Sequence, residues 1–240
     1  MNIDDLKVAI YADGADISGM IEMHKKSYIK GFTTNPTLMK KAGVTDYIEF
    51  AQNVVREIPD MPISFEVFAD DFETMKKEAI LLAEFGENVF VKIPITNSKG
   101  NSSIELISDL SKAGVNLNIT AIFTTEQARR VLEVLEDGTQ NIISVFAGRI
   151  ADTGVDPEVI MKQVAEMCRR RSGTMSLWAS CREIFNIMQA ERCKVDIITV
   201  TNDLLEKLEN IGKDLESFSL ETVQMFVRDG KSLGFSITSI

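Results

Sequence analysis

Eight short β-like runs recur along the chain and leave few folds open to it: VAIYAD from residue 8, GFTTNP from 31, ISFEVFA from 63, VFVKIP from 89, VNLNITAI from 115, IISVFAG from 142, MSLWASC from 175 and DIITVT from 196. Their starts lie 21 to 33 residues apart, about the length of one strand plus one helix. The strands are nearly continuous in apolar content, as in a parallel sheet covered by helices. The intervals carry helix signals. Thr124 with Gln127 suits a capping box, and Asp156 before Pro157 gives an N-cap with proline at the first helical position. Val159, Ile160, Val164 and Met167 then recur at helical spacing. Eight such units predict a (β/α)8 TIM barrel, since eight is the number that closes a barrel. The competitor, an open doubly wound sheet, normally carries a glycine-rich turn after its first strand; here that turn, DGADIS, has one glycine.

The expected organisation is one barrel domain over 1–240, with residues 215–240 as a C-terminal helical extension. Its segment ESFSLETVQMFVRDGKSLGF has more aromatic and aliphatic content than a solvated tail needs, so it is expected to pack on the barrel or on a neighbouring subunit. At 240 residues, roughly 70% of the unfolded chain's surface can be buried. Acidic residues outnumber basic ones by 36 to 26, and a net charge of −10 argues against nucleic acid as a partner. No stretch approaches the roughly 18 apolar residues of a membrane span, and MNIDDLKVAI lacks the features of a signal peptide, so a cytoplasmic protein is expected. Cys168, Cys181 and Cys193 fit neither a disulfide framework nor a zinc motif and read as reduced core residues. The one histidine, His24, reads as a helix-surface residue, which excludes His-based triads and His-rich metal sites.

Alternation along a strand decides which residues share a face. In strand four, Val89, Val91 and Ile93 form a uniformly aliphatic set, while Lys92 falls with Phe90 and Pro94. By the same parity Asp13 goes with Tyr11, Asn35 with Thr33, Glu66 with Ser64, Thr120 with Asn118, Phe146 with Ser144, and Ser180 with Trp178. A polar set gathered toward the C-terminal strand ends is expected to converge on one barrel mouth, where barrel active sites lie. Taken singly, Asn35 before Pro36 and Ser180 ahead of a helix read equally well as cap or turn residues. Glu66 and Lys92, embedded in apolar strands, could instead form an internal salt bridge. Arg149 and Arg182 follow strands six and seven, and guanidinium groups suit phosphate. Ser180 and Arg182 sit where a helix should begin, so free backbone amides could join them.

One chemistry suits a barrel-lining lysine in a chain without metal ligands, a glycine-rich nucleotide loop or a catalytic histidine. A neutral amine attacks a ketone and forms a Schiff base, whose cationic nitrogen draws electrons from a breaking carbon–carbon bond. An ordinary lysine, with a pKa of about 10.4, is rarely neutral at pH 7; lowering it by ~3 units needs ~4 kcal/mol, within reach of desolvation and nearby arginines. Glu66 and Thr120 are available to shuttle protons during dehydration, and Asp13 is the remaining well-placed carboxylate for the substrate hydroxyl.

The motifs GFTTNPTL, SFEVFA, VFVKIPIT, NLNITAIFTTEQA, ISVFAGRIADTG and WASCREI, in this order, resemble those of the transaldolases, particularly the short branch that also contains the fructose-6-phosphate aldolases. The likeness covers nearly the whole chain. It implies a (β/α)8 barrel with the Schiff-base lysine at Lys92, Asp13 as acid/base for bond cleavage, and Glu66 and Thr120 handling the catalytic water. It further implies that Asn35 and Asn118 hold a dihydroxyacetone unit with Ser144 nearby, and that Arg149, Ser180 and Arg182 take the sugar phosphate. Thr33 and Phe146 complete the expected substrate-binding set. The implied reaction passes a dihydroxyacetone unit from sedoheptulose 7-phosphate to glyceraldehyde 3-phosphate without metal or organic cofactor, in homo-oligomers whose C-terminal helix packs on a neighbour. Aldolase members tend to carry glutamine at Glu66 and tyrosine at Phe146, so both residues resemble the transferase side. Cys181 departs from the family, which commonly has an aromatic residue there. A fructose-6-phosphate aldolase and a non-catalytic phosphosugar-binding barrel are the alternatives.

Overall fold

All eight expected strands form and pair in chain order. In the computed structural model, which describes residues 3–234, β1 (Ala9–Asp13), β2 (Ile29–Thr33), β3 (Ile63–Glu66), β4 (Val89–Pro94), β5 (Leu117–Ile122), β6 (Asn141–Val145), β7 (Thr174–Trp178) and β8 (Ile197–Thr201) make a closed parallel barrel. The helices are α1 (Ile17–His24), α2 (Pro36–Ala42), α3 (Tyr47–Glu57), α4 (Phe72–Ala83), α5 (Ile104–Lys112), α6 (Thr125–Leu132), α7 (Ala147–Asp152), α8 (Pro157–Arg169), α9 (Phe185–Arg192), α10 (Asn202–Leu205) and α11 (Leu215–Ser232). The chain divides into two compact units: residues 2–206 hold the barrel, and α11 belongs to a second that begins at Lys207.

Side-chain caps start many of these helices. Asp16, Asn35, Asp46, Asp71 and Asp156 each accept a backbone N–H of the first turn, a contact worth about 1 kcal/mol. Thr124 and Gln127 form the expected capping box, and Pro157 follows Asp156 at the start of α8. The buried stripe of α8 differs from expectation: Met161, Val164, Ala165 and Cys168 face inward, whereas Val159 is exposed. Small and sulfur-bearing side chains complete that stripe, and a reading based on large aliphatics alone misses them.

Val89, Val91 and Ile93 are buried under the surrounding helices, and Phe90 belongs to a cluster with Tyr11, Ile142, Leu177 and Ile197. Gly31 makes room for it: a Cβ there would lie 2.5 Å from Tyr11 Cζ. This apolar cluster forms the floor beneath the polar mouth.

His24 pairs with Asp60 at 2.8 Å on the surface. Cys168 and Cys193 are buried free thiols as expected, but Cys181 is only partly buried and lines the barrel mouth. No described helix is long and apolar enough to cross a membrane. In the second unit α11 buries none of its residues, and Leu215, Val223, Phe226 and Val227 are exposed. Residues 235–240, the end of the expected extension, lie outside the described residues.

Candidate active site

Parallel register converts alternation along each strand into a ring of neighbours across the barrel. Asp13 stands beside Thr33, Glu66 beside Lys92, Lys92 beside Asn118 and Pro94 beside Thr120. At the C-terminal strand ends these side chains open into a cavity of about 430 Å³, and the twelve residues expected at the site all line it.

Lys92 is 6% exposed. Its Nζ donates to the Thr34 carbonyl at 2.7 Å and pairs with Glu66 Oε2 at 3.2 Å. An enclosed ion pair survives desolvation only when further hydrogen bonds complete it, and the Thr34 carbonyl supplies one. Asp13 Oδ1 accepts from Thr33 Oγ1 at 2.8 Å, and Oδ2 accepts from Asn35 Nδ2 at 3.3 Å. Burial pushes the Asp13 carboxyl above its ordinary pKa; the Lys92 charge and the Thr33 and Asn35 hydrogen bonds pull it back, and Glu66 pushes it up.

Asn35 is a cap and a site residue at once. Its Oδ1 accepts from Leu38 N at 3.0 Å at the start of α2, which turns the Nδ2 end toward Asp13. Asn118 is fixed from both ends: Ser144 Oγ donates to its Oδ1 at 2.6 Å, and its Nδ2 donates to Ser64 Oγ at 3.0 Å. Thr120 differs from these neighbours, since its buried hydroxyl has no hydrogen-bond partner among the described residues. A buried polar atom without a partner is costly, and a cavity wall is where such an atom can meet a ligand.

The β6–β7 side departs from the parity reading. Register sets Ser144 beside Leu177 and Val145 beside Trp178, so Leu177 points inward and Trp178 outward, the reverse of expectation. Ser180 nevertheless reaches the cavity because its backbone is left-handed, with φ +64°. Gly148 lets the first turn of α7 press on that loop: a Cβ there would lie 1.6 Å from Ser180 O. The Arg149 guanidinium sits 5.2 Å above the Phe146 ring. Arg182 is held by Asp152, with Nε 3.2 Å from Oδ1 and Nη2 on Oδ2. The expected free amide at Arg182 is taken, because its N–H donates to Asn186 Oδ1 at 2.8 Å and α9 begins only at Phe185.

The cavity wall also holds residues outside the expected twelve. Thr199 and Thr201 on β8 face the cavity on either side of outward Val200. The same alternation in ITVT could have found them. With Lys92, Arg149 and Arg182 against Asp13 and Glu66, cations outnumber acids in the cavity wall, although the whole chain is acidic.

A sequence model described as transaldolase/fructose-6-phosphate aldolase matches residues 10–239. The chain belongs to this family. A protein of Methanococcus maripaludis named "Probable transaldolase" is 34% identical over 83% of this chain and 89% of its own length. Another of that name, from Dehalococcoides mccartyi, is 32% identical over 83% of this chain and 89% of its own. Among solved structures, KGPDC from Streptococcus mutans superposes with a TM-score of 0.54 at 12% identity, covering 81% of this chain and 88% of that one. That likeness shows the shared barrel alone. Membership in the transaldolase/fructose-6-phosphate aldolase family, whose members act on phosphosugars, makes the chain an enzyme of transaldolase type.

Proposed function

We propose that the enzyme is a transaldolase that works through a Schiff base on Lys92. It takes a dihydroxyacetone unit from sedoheptulose 7-phosphate or fructose 6-phosphate and passes it to an aldose phosphate, as in the pentose phosphate pathway. The observation that carries this reading is the enclosed Lys92 ammonium in one cavity with two carboxylates, Glu66 and Asp13, of different surroundings.

Attack on the donor ketone requires the ammonium to lose a proton, and the Glu66 carboxylate beside it can receive that proton. The amine adds to the carbonyl carbon, and the carbinolamine then loses its hydroxyl as water, with Glu66 and the Thr120 hydroxyl moving the protons. Asp13 next takes the proton of the substrate hydroxyl on the carbon to be released. The carbon–carbon bond breaks, its electron pair enters the iminium to give an enamine, and an aldehyde departs. The enamine carbon attacks the acceptor aldehyde, whose oxygen regains the proton from Asp13. Water then frees Lys92. A carboxyl whose pKa burial has raised is better matched to both halves of that exchange near neutral pH.

Asn35, Asn118, Ser144 and Thr33 hold the three-carbon unit in this reading, and Arg149, Ser180 and Arg182 bind the phosphate. Phosphorylated substrates go with a cytoplasmic location, because their charge keeps them from crossing a bilayer. The exposed apolar side chains of α11 support assembly of several copies through that helix; a single-chain mass in sedimentation would remove this part of the reading.

Because the family model spans both activities, fructose-6-phosphate aldolase is the second reading. Glutamate at 66 and phenylalanine at 146 favour transfer, since phenylalanine has no hydroxyl to deliver a proton to the enamine. The test incubates the enzyme with fructose 6-phosphate, with and without erythrose 4-phosphate. Sedoheptulose 7-phosphate should form only with the acceptor. Glyceraldehyde 3-phosphate release at a comparable rate without it would select the aldolase, and tight binding with no turnover would leave only a phosphosugar-binding barrel.

A further inference from the structure

The hydrogen bonds at Asp13 continue past Thr33. Thr33 Oγ1 lies 2.8 Å from Asp13 Oδ1 and also 2.5 Å from Thr199 Oγ1. Both threonines are buried, and they reach each other from β2 and β8, the strands on either side of β1. The direction of this chain follows from counting protons. An ionised carboxylate has none to give and a hydroxyl has one. Thr33 therefore donates to Asp13, and the remaining short contact requires Thr199 to donate to Thr33.

We propose that Thr199 is a positioning residue for proton transfer at Asp13: through Thr33, its hydroxyl fixes the direction of the chain and strengthens the hydrogen bond that favours the Asp13 carboxylate. Chained hydroxyls polarise one another, so the second donor makes the first a better one. It also removes the alternative in which Thr33 turns its proton toward β8. The charged groups that face Asp13 are Lys92, which favours the carboxylate, and Glu66, which opposes it. Its neighbours Thr33 on β2, Thr199 and Thr201 on β8, and Asn35 at the start of α2 carry no charge, and Asp16 is engaged in capping α1 through Gly19 N. Tyr11, on the same strand, stays neutral because burial pushes its phenol up to about 12. Thr199 thus adjusts a balance that burial, Lys92 and Glu66 set.

The inference rests on Asp13 as the acid/base of the proposed reaction, so its test needs a readout apart from turnover. Carbon-13 NMR of labelled aspartate, with the Asp13 signal assigned by Asp13→Asn, follows the carboxyl directly in wild type, Thr199→Val, Thr199→Ala and Thr199→Ser. Losing the relay disfavours the charged form, so the Asp13 midpoint should move to higher pH in the Val and Ala variants and return in Ser. The acidic limb of kcat/KM should move with it. Below that limb Thr199→Val should lose about three- to tenfold, the worth of one hydrogen bond, with a smaller change on the plateau. An Asp13 midpoint unmoved in both Thr199→Val and Thr199→Ala would overturn the proposal. Full transfer activity in Asp13→Asn would instead overturn the assignment of Asp13, while the carboxyl titration would still decide on Thr199.

Discussion

The β3–β5 and β6–β7 sides of the barrel mouth deliver polar groups to one cavity by different means. On the first, Glu66, Lys92, Asn118 and Thr120 are strand residues, set by alternation and by the register that puts Glu66 beside Lys92 and Lys92 beside Asn118. On the second, Arg149, Ser180 and Arg182 lie beyond the strands, placed by a short helix, a left-handed residue and a glycine contact. Strand positions are the more rigid, which suits bond-making groups that must be held to fractions of an ångström. Loop positions can vary in length and sequence, which suits recognition of a substrate's far end.

Substitutions on the two sides should therefore fail differently. Thr120→Val removes the unpartnered hydroxyl of Thr120 on the strand side and should lower kcat on the order of 10²- to 10⁴-fold, as loss of a proton-transfer group does, with KM nearly unchanged. A steady-state comparison checks this, and a loss expressed in KM would break the division. Gly148→Ala forces a methyl against Ser180 O and should cost about 1–3 kcal/mol of stability while raising KM for phosphorylated donors. Thermal unfolding with donor titration reads both; an unchanged KM would separate Gly148 from the phosphate side. Phe146→Leu removes the ring under Arg149 and should weaken phosphate-bearing substrates by about 0.5–1 kcal/mol, a two- to fivefold rise in KM. A kcat effect larger than the KM effect there would move Phe146 to the chemical side.

The same contrast explains what could be read beforehand. Eight strands, their order and the inward direction of Asp13, Glu66, Lys92, Asn118 and Thr120 follow from periodicity, because every inward position on those strands obeys one rule. Ser180 reaches the cavity for another reason than alternation: alternation pairs it with Trp178, whereas Trp178 faces outward and the turn at Ser180 resets the direction. A left-handed serine leaves no mark in the sequence, since glycine is the residue expected to signal such a turn. Nor could spacing show that Asp152 holds Arg182 or that Asn186 takes its amide, for both contacts depend on loop conformation. Thr199 and Thr201 obey the same alternation, but threonines in a β-branched strand look like ordinary strand formers.

Reductive trapping decides whether Lys92 carries the Schiff base. The enzyme is incubated with fructose 6-phosphate, reduced with borohydride, digested and mapped. One stable adduct is expected, on Lys92, absent without donor and absent in Lys92→Ala. An unmodified Lys92 in enzyme that is turning over, or an adduct on another lysine, would contradict it.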